Sequence, residues 1–455
     1  MSISALSADG SVGAASPSYL RATPAANARA LPRAGVRPVQ VIALAVSGMV
    51  LGNLGRAPVL VRGPEWPVLF NDLLVAAALA ASAVACLQAR RLRLDALAGV
   101  AAAFAAVGIG AGLWAAQKYA ITASELLASY AYLGRWVGYF GLYVAVLNVA
   151  RDDDAPVLWA ALERMVLAFA AFGVFQVFAF EHFAQTIYPQ GGDYSTWDFQ
   201  GRRLVSTLLD PNFAGMLIAL VLLVQVARLA YGVPVRWWKP ALLLTALLLT
   251  LSRGATLAFA IGLGVIVAGR GLTKRLTRAA LLAAAAVLPV LPALVRFATS
   301  FRKFSIDESA MARVEAWVRA LTVIGDNPVV GVGFNTYRYV RRAYGWSVAD
   351  NLPAASLDGG LLFVVVLTGV VGLACYVGML GLIVRRCRRL WRDTDAPAEA
   401  RAVALGTAAG TVALVVHSVT VNSLLLPFLM EPHWLLAALV VLHARAVRRS
   451  TTLIG

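Results

Sequence analysis

Charge is scarce in this sequence: 14% of its 455 residues are Asp, Glu, Lys or Arg, against roughly a quarter in an ordinary soluble domain. With 60% hydrophobic residues and a mean hydropathy of +0.75, that scarcity excludes a soluble globular protein. Cysteine is rarer still. Cys86, Cys375 and Cys387 are scattered in or beside apolar runs, which argues against a disulfide framework or a zinc site. His182, His417, His433 and His443 share no metal-ligand spacing, and no metal or other cofactor is expected. A cleavable signal is also missing, because the first apolar run begins late and ends without a small-residue cleavage site.

What is abundant is apolar sequence in long runs. A helix crossing a hydrocarbon core needs about 20 apolar residues, since each advances only about 1.5 Å. About twelve segments qualify: residues 38–55, 67–88, 94–117, 124–150, 156–181, 209–231, 236–251, 253–270, 276–296, 356–384, 399–425 and 427–446. The seventh and eighth are separated only by Ser252 and Arg253. They read as two spans, because one long helix would put the cation clusters on either side of it on opposite faces. The expected fold is therefore all-α, a polytopic transmembrane bundle.

The formal charge of +17 is mostly a topology signal, because Lys and Arg are retained on cytoplasmic loops. Arg21, Arg29, Arg33 and Arg37 precede the first span; Arg90, Arg91 and Arg93, Arg151, Arg228, Arg236 and Lys239 follow later ones. Arg270, Lys274, Arg275 and Arg278, the run from Arg385 to Arg401, and Arg445, Arg448 and Arg449 complete the set. All fall on one side if both termini are cytoplasmic. Nucleic acid is not an expected partner; membrane lipid is. Residues 1–37, rich in Ala, Ser, Pro and Arg, read as a disordered cytoplasmic tail, and residues 38–455 as the transmembrane domain. Trp66, Trp159, Trp237, Trp238, Trp391 and Trp434 lie at span ends, where they anchor.

Two long connections remain on the opposite, periplasmic side: residues 182–208, and residues 297–355 between the ninth and tenth spans. Loops this long in a compact bundle are usually functional. In the second, Ser305 and Glu308 form a capping box, Met311, Val314, Val318 and Leu321 recur at helical spacing, and Gly325, Asp326, Asn327 and Pro328 stop the helix. Such a helix is expected along the outer surface or over a cavity. The same side carries Arg202, Arg203, Arg253, Arg296, Arg302, Lys303, Arg313, Arg319, Arg338, Arg341 and Arg342, against the sorting rule. Glu315 and Arg319 are spaced for a surface ion pair, and Arg338, Arg341 and Arg342 for lipid headgroups. Arg253 sits in a turn at the hydrocarbon boundary, where an unpaired guanidinium is costly. It calls for an anion, and a lipid-linked pyrophosphate matches depth and charge.

Four stretches then resemble the O-antigen ligase and O-antigen polymerase superfamily of bacterial envelope glycosyltransferases: RLVSTLLDPNFAGMLIAL from Arg203, LTLSRGATLAFAIGL around Ser252 and Arg253, ARVEAWVRALTVIGDNPVVGVGFNTY with Arg313, Trp317 and Tyr337, and DGGLLFVVVLTGVVG from Asp358. The resemblance implies transfer of a glycan from an undecaprenyl-pyrophosphate donor to an acceptor hydroxyl at the periplasmic face, without a metal. The acceptor is a glycan or a lipid-linked glycan, and a chain-length regulator or flippase is a possible partner. Under it, Arg253 and Arg313 neutralise the departing pyrophosphate, with Arg203 next.

In family ligases a histidine marks the acceptor base. Here the same register gives Asp358, Gly359, Gly369 and Gly372, so aspartate replaces it. A carboxylate also serves as a base, but the change favours polymerisation of lipid-linked repeats over ligation to lipid A core. Asp358 reads alternatively as a helix N-terminal carboxylate. Arg202, Arg203, Asp210, Asn212, Ser252, Trp317, Tyr337, Asp350 and Asn351 are the candidate substrate-binding residues; Asp210 and Asn212 read alternatively as a helix cap. Gly331 and Gly333 allow a turn or close backbone approach. His417, Asn422 and Glu431 flank the last outward turn, bordering the same cavity or simply solvated. Arg135, and Glu163 with Arg164, require partners inside the bilayer, the latter two as a structural pair. Two other classes compete. A transporter or flippase predicts midplane polar groups and internal repeats, neither evident; a catalytically silent scaffold has only the missing histidine in its favour.

Overall fold

The apolar runs fold into helices: α1 (Pro38–Gly48), α2 (Phe70–Ala89), α3 (Ala96–Lys118), α4 (Ala123–Val149), α5 (Ala155–Ala179), α6 (Pro211–Ala230), α7 (Trp238–Leu249), α8 (Arg253–Arg270), α9 (Ile306–Asp326), α10 (Tyr337–Ala343), α11 (Gly360–Arg392), α12 (Ala398–His417) and α13 (Pro427–Ile454). The computed structural model describes residues 36–55, 68–187, 202–275, 277–278, 306–346, 357 and 359–454, with the side chains of 306–313 and 450–454 left out. The expected tail lies outside the described residues apart from 36 and 37, as does the ninth expected span apart from residues 277 and 278. Every other expected span overlaps one of these helices. Among the described residues, nine helical stretches are long and apolar enough to cross a membrane. The seventh and eighth spans are separate helices, divided at Leu251, which takes a left-handed conformation with φ 52°. At 12 residues, α7 is only about 18 Å long.

Short polar residues set where the helices begin. Asp95 accepts from the Ala98 N–H at 3.0 Å to open α3, and Thr122 and Glu125 satisfy each other's backbone N–H groups at the start of α4. Burial then sorts the helices. In α6, α12 and α13, 78% of the apolar window is buried, so they form the centre; in α2 and α8 only 22% is. Leu73 and Leu87 on α2 and Leu257 on α8 face outward. An apolar surface of that kind is stable in lipid.

One end of the bundle is a belt of ion pairs. Arg37 meets Asp154 (2.6 Å), Arg386 meets Asp95 (2.8 Å), Arg228 meets Glu399 (3.1 Å) and Arg449 meets Asp152 (2.7 Å). These tie the start of α1 to the start of α5, and the starts of α3, α5 and α12 to the C-terminal parts of α11, α13 and α6. Inside the bundle, Arg135 finds Asp72 at 2.6 Å. The expected Glu163–Arg164 pair is not formed. Successive helical residues project about 100° apart and do not face each other. Glu163 instead receives Lys239 and Gln225, with Arg228 at 3.7 Å, while Arg164 turns out and donates to the Ala160 carbonyl at 3.0 Å.

Residues 328–333 of the 297–355 connection make the close backbone approach expected of Gly331 and Gly333. After α9 stops at Asp326, the chain enters the bundle and fills a break in α11 at Gly369 (φ 62°, ψ −166°). The carbonyls freed by the break accept from the loop: Val332 N–H to Val366 at 2.9 Å and Gly333 N–H to Leu367 at 2.8 Å. The freed N–H groups donate back, Val370 to Pro328 at 2.9 Å and Val371 to Val329 at 3.2 Å. Irregular backbone among transmembrane helices needs this kind of internal satisfaction. The approach is close enough to require glycine. At Gly331 (φ +69°) a Cβ would lie 2.6 Å from the Leu367 carbonyl carbon, and at Gly333 (φ +95°) 2.4 Å from the Gly112 Cα. Gly369→Ala, whose Cβ would lie 2.2 Å from Val329, is expected to destabilise the protein by about 2 kcal/mol or more. A thermal melt of the purified protein in detergent checks this; an unchanged melting temperature contradicts the role given to the break.

Candidate functional site

At the end of the bundle away from the ion-pair belt, the strap 203–206 docks onto the end of α7. Leu204 N–H donates to the Leu249 carbonyl and Arg203 Nε to the Thr250 carbonyl, each at 3.0 Å. Buried Gln176 holds the strap from beneath, its Oε1 accepting from the Val205 (3.1 Å) and Ser206 (3.2 Å) N–H groups. The strap delivers Asp210 and Asn212 beside the start of α8. Asp210 caps α6, accepting from the N–H groups of Asn212 (2.7 Å) and Phe213 (3.1 Å). Asn212 Oδ1 accepts from Ser252 Oγ at 2.8 Å, and Ser252 in turn caps α8 through the Ala255 N–H at 3.3 Å. Both polar pairs thus orient the turn that carries Arg253.

Arg253 is the first residue of α8, exposed, with no hydrogen bond or ion pair among the described residues. A cation there opposes the positive end of the helix dipole. Guanidinium and helix start therefore attract the same thing, an anion. Gly254 lets the 417–423 turn close against it: a Cβ would lie 3.4 Å from both His417 Cδ2 and Thr420 Oγ1. His417 is fully buried, its Nδ1 2.6 Å from Ser423 Oγ and its Nε2 without a partner.

From that turn the contacts continue to the start of α11. Gly360 N–H donates to the Ser418 carbonyl at 2.6 Å. Gly359 (φ +112°) lies so near that a Cβ would be 3.3 Å from both the Val419 carbonyl oxygen and Trp317 Nε1. Trp317 on α9 therefore stands over the residue that follows Asp358. Tyr337, at the start of α10, is buried with its ring edge-on to Phe363 at 6.3 Å. Burial raises the pKa of its phenol, against the opposing pull of Arg341 and Arg319.

Ser252, Arg253 and Asn212 are thus in one cluster, linked through the 417–423 turn to Gly359 and Trp317. Arg203 is engaged on α7. Arg202 pairs with Glu181 at 2.7 Å, both side chains more than half exposed, a contact of little energy. Arg313 falls one turn before Trp317 on α9, its side chain outside the described residues, where Asp350, Asn351 and Asp358 also lie. The eleventh expected span ran to residue 425, but α12 ends at His417. Short polar side chains in the Ser-Val-Thr-Val-Asn-Ser run compete for the backbone there: Ser418 Oγ donates to the Val415 carbonyl at 2.7 Å. Thr420 and Ser423 were not singled out by the sequence reading; that alternating polar run inside an apolar segment was their signal.

Residues 241–377 match the family model described as O-antigen ligase. No curated protein matches the chain. The matching stretch runs from within α7 to the middle of α11, so it holds Ser252, Arg253, Trp317, Tyr337 and the α11 break. Asn212 on one side and the 417–423 turn on the other lie outside it and pack against it.

Proposed function

We propose that the chain is a membrane glycosyltransferase that moves glycan from an undecaprenyl-pyrophosphate donor to a glycan hydroxyl at the periplasmic face, polymerising lipid-linked repeats. The observation that carries this reading is Arg253. It is a guanidinium with no ion pair among the described residues, at a helix start, beside a polar cluster, inside a stretch that matches the O-antigen ligase family model. In the proposed step the acceptor oxygen attacks the anomeric carbon and the bond from that carbon to the pyrophosphate oxygen breaks. The electron pair leaves on the lipid pyrophosphate, where Arg253, and Arg313 with it, stabilise the growing charge. The hydroxyl proton passes to the Asp358 carboxylate. Asn212 and Ser252 hold the Arg253 turn, and Trp317 offers the sugar an aromatic face.

The test uses the full chain in proteoliposomes with a defined undecaprenyl-pyrophosphate oligosaccharide. A ladder of products rising by one repeat, with release of undecaprenyl pyrophosphate, is the expected result; no transfer to any glycan overturns the reading. A second reading, transfer to lipid A core, is favoured by the description of the matching family. Adding lipid A core to the same vesicles separates the two, because a ligase makes a single capped product and no ladder.

A further inference from the structure

Arg341 is the cation that the glycan-transfer reading leaves unused. It lies on α10 and is only 5% exposed. Its Nε is buried without an acceptor, and no hydrogen bond or ion pair reaches the side chain among the described residues. Its neighbours are accounted for. Arg342 pairs with Glu125 at 2.6 Å, Arg319 pairs with Glu315, and Arg338 lies over the Tyr339 ring at 5.1 Å. Burial acts against the charge of Arg341, and the Arg319 guanidinium opposes it further. A guanidinium stays protonated in proteins, so leaving one enclosed and unpaired is costly. A group kept at that cost needs an explanation from its ligand.

We infer that Arg341 forms an anion subsite that takes the carboxylate of an acidic sugar in the transferred glycan. The charge balance selects the ligand. Arg319 is already neutralised by Glu315, so one buried positive charge remains, and one planar carboxylate matches both that charge and the fork of donors. A pyrophosphate would bring surplus negative charge into a site with no second free cation among the groups acting on Arg341. The Trp346 backbone N–H donates to the Arg341 carbonyl at 3.3 Å, and the Trp346 ring, stacked on Tyr344 at 4.8 Å and under the Arg319 guanidinium at 5.6 Å, places an indole reporter beside the subsite. The subsite rests on the glycan-transfer reading for its substrate, yet its test is a binding measurement that needs no turnover.

Purified full-length protein in detergent is titrated with glucuronate, galacturonate and mannuronate, with the matching neutral sugars, and with inorganic pyrophosphate, following tryptophan fluorescence. At least one uronate is expected to bind where its neutral counterpart does not. Arg341→Gln is expected to weaken that binding about tenfold or more. Arg341→Lys, which keeps the charge, is expected to bind several-fold more weakly than the parent and serves if Arg341→Gln fails to fold. Three results overturn the proposal: no uronate binding at millimolar concentration, equal binding by parent and variants, or loss of pyrophosphate rather than uronate binding in the Arg341 variants. Failure of the proteoliposome ladder with uronate binding intact would instead remove the transferase reading alone.

Discussion

Arg253→Ala is expected to abolish glycan chain extension, the rate falling about 100- to 1,000-fold, the usual cost of removing one donor aimed at a developing negative charge. The structural reason is the isolation of this side chain. It opens α8, it has no ion pair among the described residues, and the turn that carries it is fixed by Ser252 and Asn212 at 2.8 Å. Removing the guanidinium therefore takes away charge stabilisation without leaving a buried partner stranded, so membrane insertion and thermal stability should hold. Arg253→Lys keeps the charge and loses the fork, and should recover part of the rate. The product length distribution on a gel, read beside a melt of the purified variant, checks both halves. Normal chain lengths in Arg253→Ala refute the assignment.

Asp358→Asn is expected to lower turnover at least about a hundredfold, the lower bound for a lost general base. The flanking chain supports the placement: Leu357 is buried, and Gly359 and Gly360 are held against Val419 and Ser418. The described residues on either side are thus held against the 417–423 turn. Asparagine preserves size and the ability to cap a helix, so a residue that acts only as a cap tolerates the change. Initial rates with a defined donor distinguish these outcomes, and near-normal turnover identifies Asp358 as a cap.

The helices were legible in the sequence because span length and hydropathy follow from the thickness of a bilayer. The cation clusters were legible for a related reason. Arg37, Arg228, Arg386 and Arg449 come from separate connections and meet acids at one end of the bundle, as the sorting of basic loops requires. What escaped depends on hydrogen-bond bookkeeping between distant segments. Nothing local shows that residues 328–333 complete a broken helix at Gly369, since both partners are apolar and their complementarity lies in backbone groups. Glycines at 331, 333 and 369 were visible, but not that they meet. The partner of Glu163 escaped because adjacency in sequence is poor guidance on a helix; Lys239, Gln225 and Arg228 lie on other elements.

The candidate site was partly legible. Ser252, Arg253 and Asn212 were singled out from motif stretches far apart in the chain, and they are in contact or adjacent in the fold. Arg341 was grouped with Arg338 and Arg342 as a headgroup contact because the three share a short cationic run. Burial separates them: Arg342 is exposed and paired, Arg341 enclosed and unpaired. Side-chain burial on a seven-residue helix is set by what packs over it and has no local sequence signature.

The central claim is that Arg253 grips the pyrophosphate of the lipid donor. Equilibrium binding of glycan-free undecaprenyl pyrophosphate to the purified full-length protein, compared with Arg253→Ala, tests it without any need for turnover. The account predicts binding about tenfold or more weaker in the variant, the worth of one lost charge-assisted hydrogen bond. Equal affinity in the two proteins would contradict it.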